Sequence, residues 1–198
     1  MTLALRIGDS SAPAASMSSS PGQTLSEADA LSLKLAMRQM AGGVCIITAG
    51  QGRERTGATV TSATALSVDP PTMIVAINRR SSSFPTIQAY GHFCINILSH
   101  DQQAIADRFA GKSGLKGPER YQHAEWTTLA SGAPVLLDAL AAIDCAVEEV
   151  IERHSHAIFI GRALSIGTRE TTRSHPEDTA DPLVYANGQY RTFRTDKG

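Results

Sequence analysis

Short runs of aliphatic and β-branched residues, separated by Gly, Pro, Ser and charged residues, recur along most of the chain. Runs of this length with such boundaries are typical of β-strands. They lie at residues 44–49, 72–78, 92–98, 141–151 and 157–166, and a final strand and turn follow at 182–193. The two long runs flank the polar segment ERHSH, so the pattern predicts a hairpin there.

Three segments have the spacing and boundary residues of helices instead. We expect the first over residues 27–43, with Ser26 as its N-cap, and the second over 79–91. The third runs through 100–111, preceded by the capping box of Ser99 and Gln102. Many strands and few helices favour a mainly β fold, a barrel or sandwich decorated with helices, over a parallel βαβ fold. No Gly-x-Gly-x-x-Gly motif is present, so a dinucleotide would have to bind in another way.

Composition limits the class of protein. The 198 residues are 42% hydrophobic and 19% charged, which suits one globular domain with a sizeable core. Residues 10–26 include seven serines and almost nothing to bury. We therefore predict a flexible Ser/Ala/Pro-rich tail over 1–26 and a single domain over 27–198.

Charge and cysteine usage exclude several functions. A formal net charge of −1 gives no general attraction to nucleic acid or to an anionic membrane, and no apolar run is long enough to cross a bilayer. No secretory signal is visible at the N-terminus. Three cysteines, each within an apolar run, are expected to be buried thiols in a reducing cytoplasm. Their spacing predicts no metal site.

The stretch TGATVTSATALSVDPP, residues 56–71, contains four threonines and two serines in an otherwise β-like run. Thr59, Thr61 and Ser62 can donate and accept hydrogen bonds, while small neighbours such as Ala63 leave the backbone accessible. A flat heteroaromatic ring with a polar edge could bind there. The alternative is an edge strand with a hydroxyl-rich face toward solvent.

The segment NRRSSSF, residues 78–84, places two arginines and three serines where a strand meets the start of a helix. Backbone N–H groups, hydroxyls and guanidinium groups together favour a phosphate. The alternative is an N-cap with two solvated arginines. One segment suited to a ring and another suited to a phosphate together indicate a flavin nucleotide.

Three further polar residues are candidates, two at the predicted hairpin and one within an apolar run. His156 opens a predicted strand and His154 lies on the preceding turn, where both could face a cleft and bind a substrate amide or phosphate. They could equally be incidental, and a metal pair lacks a third ligand. Asn96 either satisfies a backbone group or touches the ligand.

Five segments, taken together, resemble the short-chain flavin reductase family. They are GGVCIIT, TGATVTSATALSVDPPTMIVAIN, FCINILSHDQQAIADRFAG, HAIFIGRA and PLVYANGQYR, which occur in the family's order across residues 33–194. The resemblance implies an FMN-binding split β-barrel of Greek-key type. It also implies a homodimer that binds FMN or FAD near its interface and uses NADH or NADPH as hydride donor.

The resemblance assigns site residues by position. The isoalloxazine edge would meet Thr59, Val60, Thr61, Ser62 and Ala63. The ribityl phosphate would meet Asn78, Ser81, Ser82 and Ser83, with Asn96 near the flavin. His156 matches the last residue of the family's Gly-Asp-His motif on the nicotinamide side, and the motif here reads His154-Ser155-His156.

The implied activity is hydride transfer from nicotinamide to flavin, with Arg79, Arg80 or Arg191 as the cation near the reduced ring. Most relatives supply reduced flavin to a partner monooxygenase. The alternatives are a reductase of a specialised acceptor, such as the cobalt of cob(II)yrinic acid a,c-diamide in cobalamin biosynthesis, and a flavin-binding protein without turnover. A hydrolase is disfavoured because no nucleophile elbow is present.

Overall fold

The computed structural model describes residues 28–111, 113–169 and 181–193, and these ranges contain three α-helices, three short 3₁₀ helices and twelve strands. The α-helices are α1 (Ala30–Met37), α2 (Ser83–Tyr90) and α3 (Gln103–Phe109). The first six strands are β1 (Gly42–Gly43), β2 (Cys45–Ala49), β3 (Thr56–Val60), β4 (Ala63–Ser67), β5 (Thr72–Asn78) and β6 (His92–Ile97). The others are β7 (Trp126–Thr128), β8 (Pro134–Leu136), β9 (Ala141–Arg153), β10 (His156–Thr168), β11 (Val184–Ala186) and β12 (Gln189–Arg191).

Seven strands form one antiparallel sheet in the order β3-β2-β6-β9-β10-β5-β4. Its two edge strands, β3 and β4, are consecutive in the chain and are joined only by Thr61 and Ser62. Because so short a link reaches no more than about 11 Å, the sheet must curl until its edges approach each other there. The result is a barrel that stays open between β3 and β4. The predicted split barrel is thereby confirmed.

The hydroxyl-rich stretch is therefore two strands on opposite edges of the split, and not one continuous run. Ser62 marks the break, where its Oγ donates to the carbonyl of Ala76 on β5 at 2.9 Å. This bond ties the crossing chain to the β4–β5 side of the opening.

Three buried apolar clusters form the core of the described residues, and the two larger ones lie on the two faces of the sheet. Ile47, Phe93 and Phe159 belong to one cluster, whereas Ile46 and Tyr121 belong to the other. Every residue of β2 is buried, which explains why its sequence is a continuous apolar run without alternation.

Gly161 shows how tightly the cluster that contains Phe93 packs. A Cβ at this position would lie 2.7 Å from the ring of Phe93, and the pairing register of β10 with β9 shifts at the same place. Only glycine lets β10 pass this close to the aromatic side chain.

The two predicted long strands form the β9–β10 hairpin, and the capping box of Ser99 and Gln102 is present. The first helix differs from its prediction because it ends at Met37. Gly42 and Gly43 are strand residues that pair with β11. The chain divides into two units, Met1–Met37 and Arg38–Gly198. The predicted tail and the Ser26 cap lie outside the described residues.

The three cysteines, Cys45, Cys94 and Cys145, are buried free thiols, as predicted. Burial raises the pKa of Cys45 to about 11 and that of Cys145 to about 12, so neither is a thiolate near neutral pH. None of the described helices is long and apolar enough to span a bilayer.

Candidate functional site

A groove of about 980 Å³ brings together the two segments that the sequence singled out. Residues 53–59 form one wall and residues 78–82 form another, with 109–111, 116, 117 and 120 along the margin. The walls meet where the side-chain oxygens of Thr56 and Ser82 lie 2.8 Å apart. The groove therefore lies between one edge strand of the split barrel and the turn that leads into α2.

Asn78 shapes the turn between β5 and α2. Its Oδ1 accepts a hydrogen bond from the backbone N–H of Arg80 at 2.9 Å, and its carbonyl accepts one from Ser81 Oγ at 2.7 Å. Asn78 thus folds the backbone into a tight turn that presents Ser81 and Ser82 to the groove.

Cationic side chains dominate the groove. They are Arg53, Arg55, Arg79, Arg80, Lys116 and Arg120. Among the described lining residues the one carboxylate is Glu54, which accepts a hydrogen bond from the Tyr90 hydroxyl. Because the whole chain carries a formal net charge of −1, this concentration of positive charge is local and suits a phosphate-bearing ligand.

Two of these arginines have structural partners. Arg120 donates to the carbonyl of Gly57 at 2.7 Å and to that of Leu115 at 2.9 Å, which fastens the 3₁₀ turn Gly117–Tyr121 to β3. Arg79 pairs with Glu152 at 2.6 Å and donates to the carbonyl of His154 at 3.2 Å. These two contacts link the α2 turn to the tip of the β9–β10 hairpin.

A smaller cavity of about 220 Å³ adjoins the groove, with Thr59 and Ala110 in both linings. We call it the ring cavity. Its other walls are Val44, Val60, Thr61, Tyr185 and Tyr190. The two tyrosine rings lie edge to face with centroids 5.3 Å apart. An apolar, aromatic cavity with threonines at its rim fits a planar heterocycle.

The two tyrosines were missed as site residues in the sequence analysis, although a signal was present. Asn187 and Gly188 have φ of 51° and 79°, as the two central residues of a tight hairpin turn require. That turn pairs Tyr185 with Tyr190 across β11 and β12. Burial and the nearby Asp107, whose Oδ1 is 3.3 Å away, raise the pKa of Tyr190 to about 12.

The structure brings together six of the ten residues predicted to bind the cofactor. Thr59, Asn78, Ser81 and Ser82 line the groove, while Val60 and Thr61 line the ring cavity. Ser62 and Ala63 belong to neither lining: Ser62 bonds to Ala76, and Ala63 packs against the barrel core.

Ser83 is buried in the first turn of α2, where its Oγ has no hydrogen-bond partner, and it is also outside the groove lining. The hydroxyl therefore faces the interior, one residue beyond the serine that reaches the ligand groove.

Asn96 lies inside the fold. It is fully buried, and its Nδ2 donates to the carbonyl of Ile46 at 3.1 Å and to Thr48 Oγ1 at 3.2 Å. Its Oδ1 accepts from the N–H of Leu136 at 2.7 Å. Both ends of the amide are used inside the protein, so the first of the two alternatives holds. Asn96 satisfies buried groups of the fold, and its nearness to the flavin stays a prediction.

The histidines lie at the hairpin tip. His154 and Ser155, with Arg79, Arg80 and Phe84, line a cavity of about 440 Å³. Arg79 and Arg80 also line the groove, so the two spaces adjoin. His154 has φ of 49°, in the left-handed region that favours glycine. His156 is exposed and pairs with Asn78 across β10 and β5.

Comparison with known proteins decides the family. The model of the family described as flavin reductase like domain matches residues 37–194. The chain belongs to this family. Among curated relatives, the reductase component of the FADH(2)-dependent resorcinol hydroxylase of Rhizobium sp. (strain MTP-10005) is 35% identical over 157 residues, covering 78% of this chain and 82% of the relative.

Two further members are similar to this flavin reductase-like chain. An FMN reductase (NADH) of Bradyrhizobium diazoefficiens is 32% identical over 157 residues, covering 79% of this chain and 82% of the relative. The crystal structure of BorF, the flavin reductase component of a bacterial two-component tryptophan halogenase, superposes with a TM-score of 0.73 and 29% identity. That match covers 84% of this chain and 99% of BorF.

The residues present fit a flavin nucleotide. The ring cavity is apolar and aromatic, the groove beside it is cationic and hydroxyl-lined, and Thr59 and Ala110 belong to both.

Proposed function

We propose that this chain is an NADH-dependent flavin reductase that transfers hydride to FMN or FAD bound in the groove and the ring cavity. The observation that carries the proposal is the continuity of the two spaces through Thr59 and Ala110. A planar ring and a phosphate joined by a flexible chain match that arrangement. The relative named as an FMN reductase (NADH) supports this donor and acceptor.

The chain's contribution is binding and orientation. A flavin bound here supplies the ring that accepts a hydride from the nicotinamide. That step carries both electrons with the hydrogen, so no side chain has to move a proton. The tyrosine pair and Val60 hold the ring, while Arg80 and Ser82 hold the phosphate. Positive groove residues also stabilise the negative charge of a reduced flavin.

The cavity at the hairpin tip is the proposed binding place of the nicotinamide nucleotide. It contains His154 and Ser155 and shares Arg79 and Arg80 with the groove. His156 stands next to Asn78, a groove residue, in the paired strands β10 and β5. We assign His156 to the nicotinamide side as a binding residue.

We infer that reduced flavin is passed to a partner monooxygenase. Support comes from relatives named as reductase components of a resorcinol hydroxylase and of a tryptophan halogenase. Named relatives of this kind favour a monooxygenase-type partner over a cobalt corrinoid acceptor.

A homodimer and a cytoplasmic location complete the proposal. Leu66 and Val68 on or beside β4, and Ile166 on β10, have exposed fractions of 55%, 88% and 59%. β4 and β10 both pair with β5, and a second copy of the chain could cover these exposed apolar side chains.

The activity is tested by mixing the purified protein with NADH and FMN without oxygen and following the flavin absorbance. Bleaching at a rate proportional to the amount of protein supports a reductase. If flavin binds but stays oxidised, the chain is a flavin-binding protein without turnover. Adding a cobalt(II) corrinoid to the same mixture separates the acceptors, since a corrin reductase would form cobalt(I) faster than free reduced flavin does.

A further inference from the structure

The turn between β9 and β10 places a histidine in a backbone conformation that favours glycine. Arg153 pairs with His156, so the turn has two central residues, His154 and Ser155. His154 has φ of 49°, in the left-handed region, where a Cβ is crowded by the neighbouring backbone. The stability of the turn therefore does not explain the presence of a histidine at this position.

Contacts from Arg79 fix this strained turn. The backbone N–H of Arg79 donates to the carbonyl of Ser155 at 2.9 Å, and its Nη1 donates to the carbonyl of His154 at 3.2 Å. The same guanidinium pairs with Glu152 at 2.6 Å. Strained residues persist where surrounding contacts hold them, and they cluster at ligand sites. The strain at His154 therefore points to a contact between its side chain and a ligand.

The His154 side chain lines the cavity of about 440 Å³ at the hairpin tip, together with Ser155, Arg79, Arg80 and Phe84. We call this space the hairpin-tip cavity. Its polar groups suit an oxyanion, because guanidinium, imidazole and hydroxyl groups all donate hydrogen bonds. An imidazole donates an N–H in its neutral form as well as in its charged form.

The other polar groups of the hairpin-tip cavity have partners or a proposed ligand. Arg79 is engaged by Glu152 and by the turn. The hydroxyl of Ser155 lies 2.9 Å from Nδ1 of His156. Arg80 also lines the groove, where the proposed function assigns it to the flavin phosphate. Among the described lining residues, His154 therefore supplies the polar side chain that is left for a second phosphate.

We propose that His154 is a specificity-determining residue that binds the phosphate of the nicotinamide mononucleotide half of the hydride donor. The inference rests on the proposed function, because it adds a residue to the same nicotinamide side. The flavin phosphate in the groove and the donor phosphate in the hairpin-tip cavity would then flank Arg80, which lines both spaces. The strain of the turn is retained because it brings the imidazole to this second phosphate.

The test uses two hydride donors that differ only in this phosphate, reduced nicotinamide mononucleotide and reduced nicotinamide riboside. The value of kcat/KM is measured for each donor with FMN as acceptor, in the parent and in His154→Gly. We expect the parent to prefer the mononucleotide and the variant to lose about tenfold of that preference, as for one charge-assisted contact. The dissociation constant of oxidised nicotinamide mononucleotide, from calorimetry, should rise by about the same factor.

A matched control separates the ligand contact from the relief of backbone strain. His123 also has a positive φ, of 66°, and it is exposed and lines neither the groove, the ring cavity nor the hairpin-tip cavity. His154→Gly and His123→Gly should both raise the thermal midpoint of unfolding, because glycine adopts these angles without strain. In His123→Gly the donor preference should stay within about twofold of the parent.

Two results would overturn the proposal. An unchanged donor preference in His154→Gly would show that the imidazole does not bind the phosphate. An equal loss of kcat/KM for the two donors would assign His154 to the nicotinamide ring or its ribose instead. The proposed function fails separately, if the parent protein does not reduce FMN with NADH.

Discussion

Thr56 and Ser82 are 26 positions apart in the chain, and their side-chain oxygens lie 2.8 Å from each other. Thr56 begins β3, one edge strand of the split barrel, while Ser82 immediately precedes α2. The contact therefore joins the two walls of the groove. It also explains why a hydroxyl-rich strand and a serine-rich helix start, distant in sequence, can serve one ligand.

Ser82→Ala is expected to weaken FMN binding by about tenfold, because it removes a hydroxyl from the groove and the partner of Thr56. The measurement is the dissociation constant of FMN from fluorescence quenching. Ser83→Ala is the matched control, since that hydroxyl is buried without a partner outside the groove. If the two variants bound FMN equally well, the phosphate would not lie against Ser82.

Asn96→Ala is expected to lower the free energy of unfolding by about 3 kcal/mol, because it leaves buried backbone groups of two other segments unpaired. The folded fraction should bind FMN with the parent's affinity. Urea unfolding and flavin titration measure the two quantities separately. Normal stability with impaired FMN binding would return Asn96 to the flavin site.

This residue shows where sequence reasoning stops. A lone asparagine in an apolar strand indicates a buried polar role, yet the pattern does not reveal which backbone groups lie within its reach. Those partners, Ile46 and Leu136, come from β2 and β8, and only the folded sheet places them beside β6. The strands themselves were predictable, because hydrophobic runs and turn residues are local signals.

The groove wall formed by residues 78–82 was predictable for the same reason, because the turn and helix-start residues of NRRSSSF are local signals. Arg55 and Lys116 were not predicted, because they reach the groove from the β2–β3 connection and from a loop that Arg120 fastens to β3. Cations contributed by separate loops have no shared sequence pattern. The family resemblance assigned residues to the isoalloxazine ring, but it did not assign Tyr185 and Tyr190 of the ring cavity.

Tyr190→Phe is expected to change how stability depends on pH at alkaline values. Burial and Asp107 raise the pKa of Tyr190 from its ordinary value of 10 to about 12. The unfolded chain therefore loses this proton first, so the stabilising contribution is complete below pH 10 and is lost as pH rises toward 12. The urea concentration at the unfolding midpoint, measured from pH 10 to about pH 12, should fall less steeply with pH in the variant. Identical slopes would contradict the raised pKa.

His156→Ala is expected to raise the KM for NADH while leaving the FMN dissociation constant within about twofold, because His156 directly follows His154 and Ser155 of the hairpin-tip cavity and does not line the groove. Steady-state rates at fixed FMN measure the first quantity and fluorescence quenching measures the second. An unchanged KM would make His156 an incidental surface residue.

His154→Gly is expected to stabilise the hairpin by up to about 1 kcal/mol, since His154 adopts a left-handed φ of 49° that glycine adopts without strain. Thermal unfolding provides the measurement. Ser155→Gly, at a neighbouring position without a positive φ, should be neutral or destabilising. Equal effects of the two substitutions would show that backbone conformation at His154 carries no cost.

The central claim is that the cationic groove holds the phosphate of a flavin whose ring lies in the adjoining cavity. Comparing the affinities of FMN and riboflavin tests it most directly, because the two ligands differ only in the phosphate. We expect FMN to bind at least about tenfold more tightly at low salt, with the difference shrinking as salt screens the arginines. Equal affinities at every salt concentration would contradict this assignment of the groove.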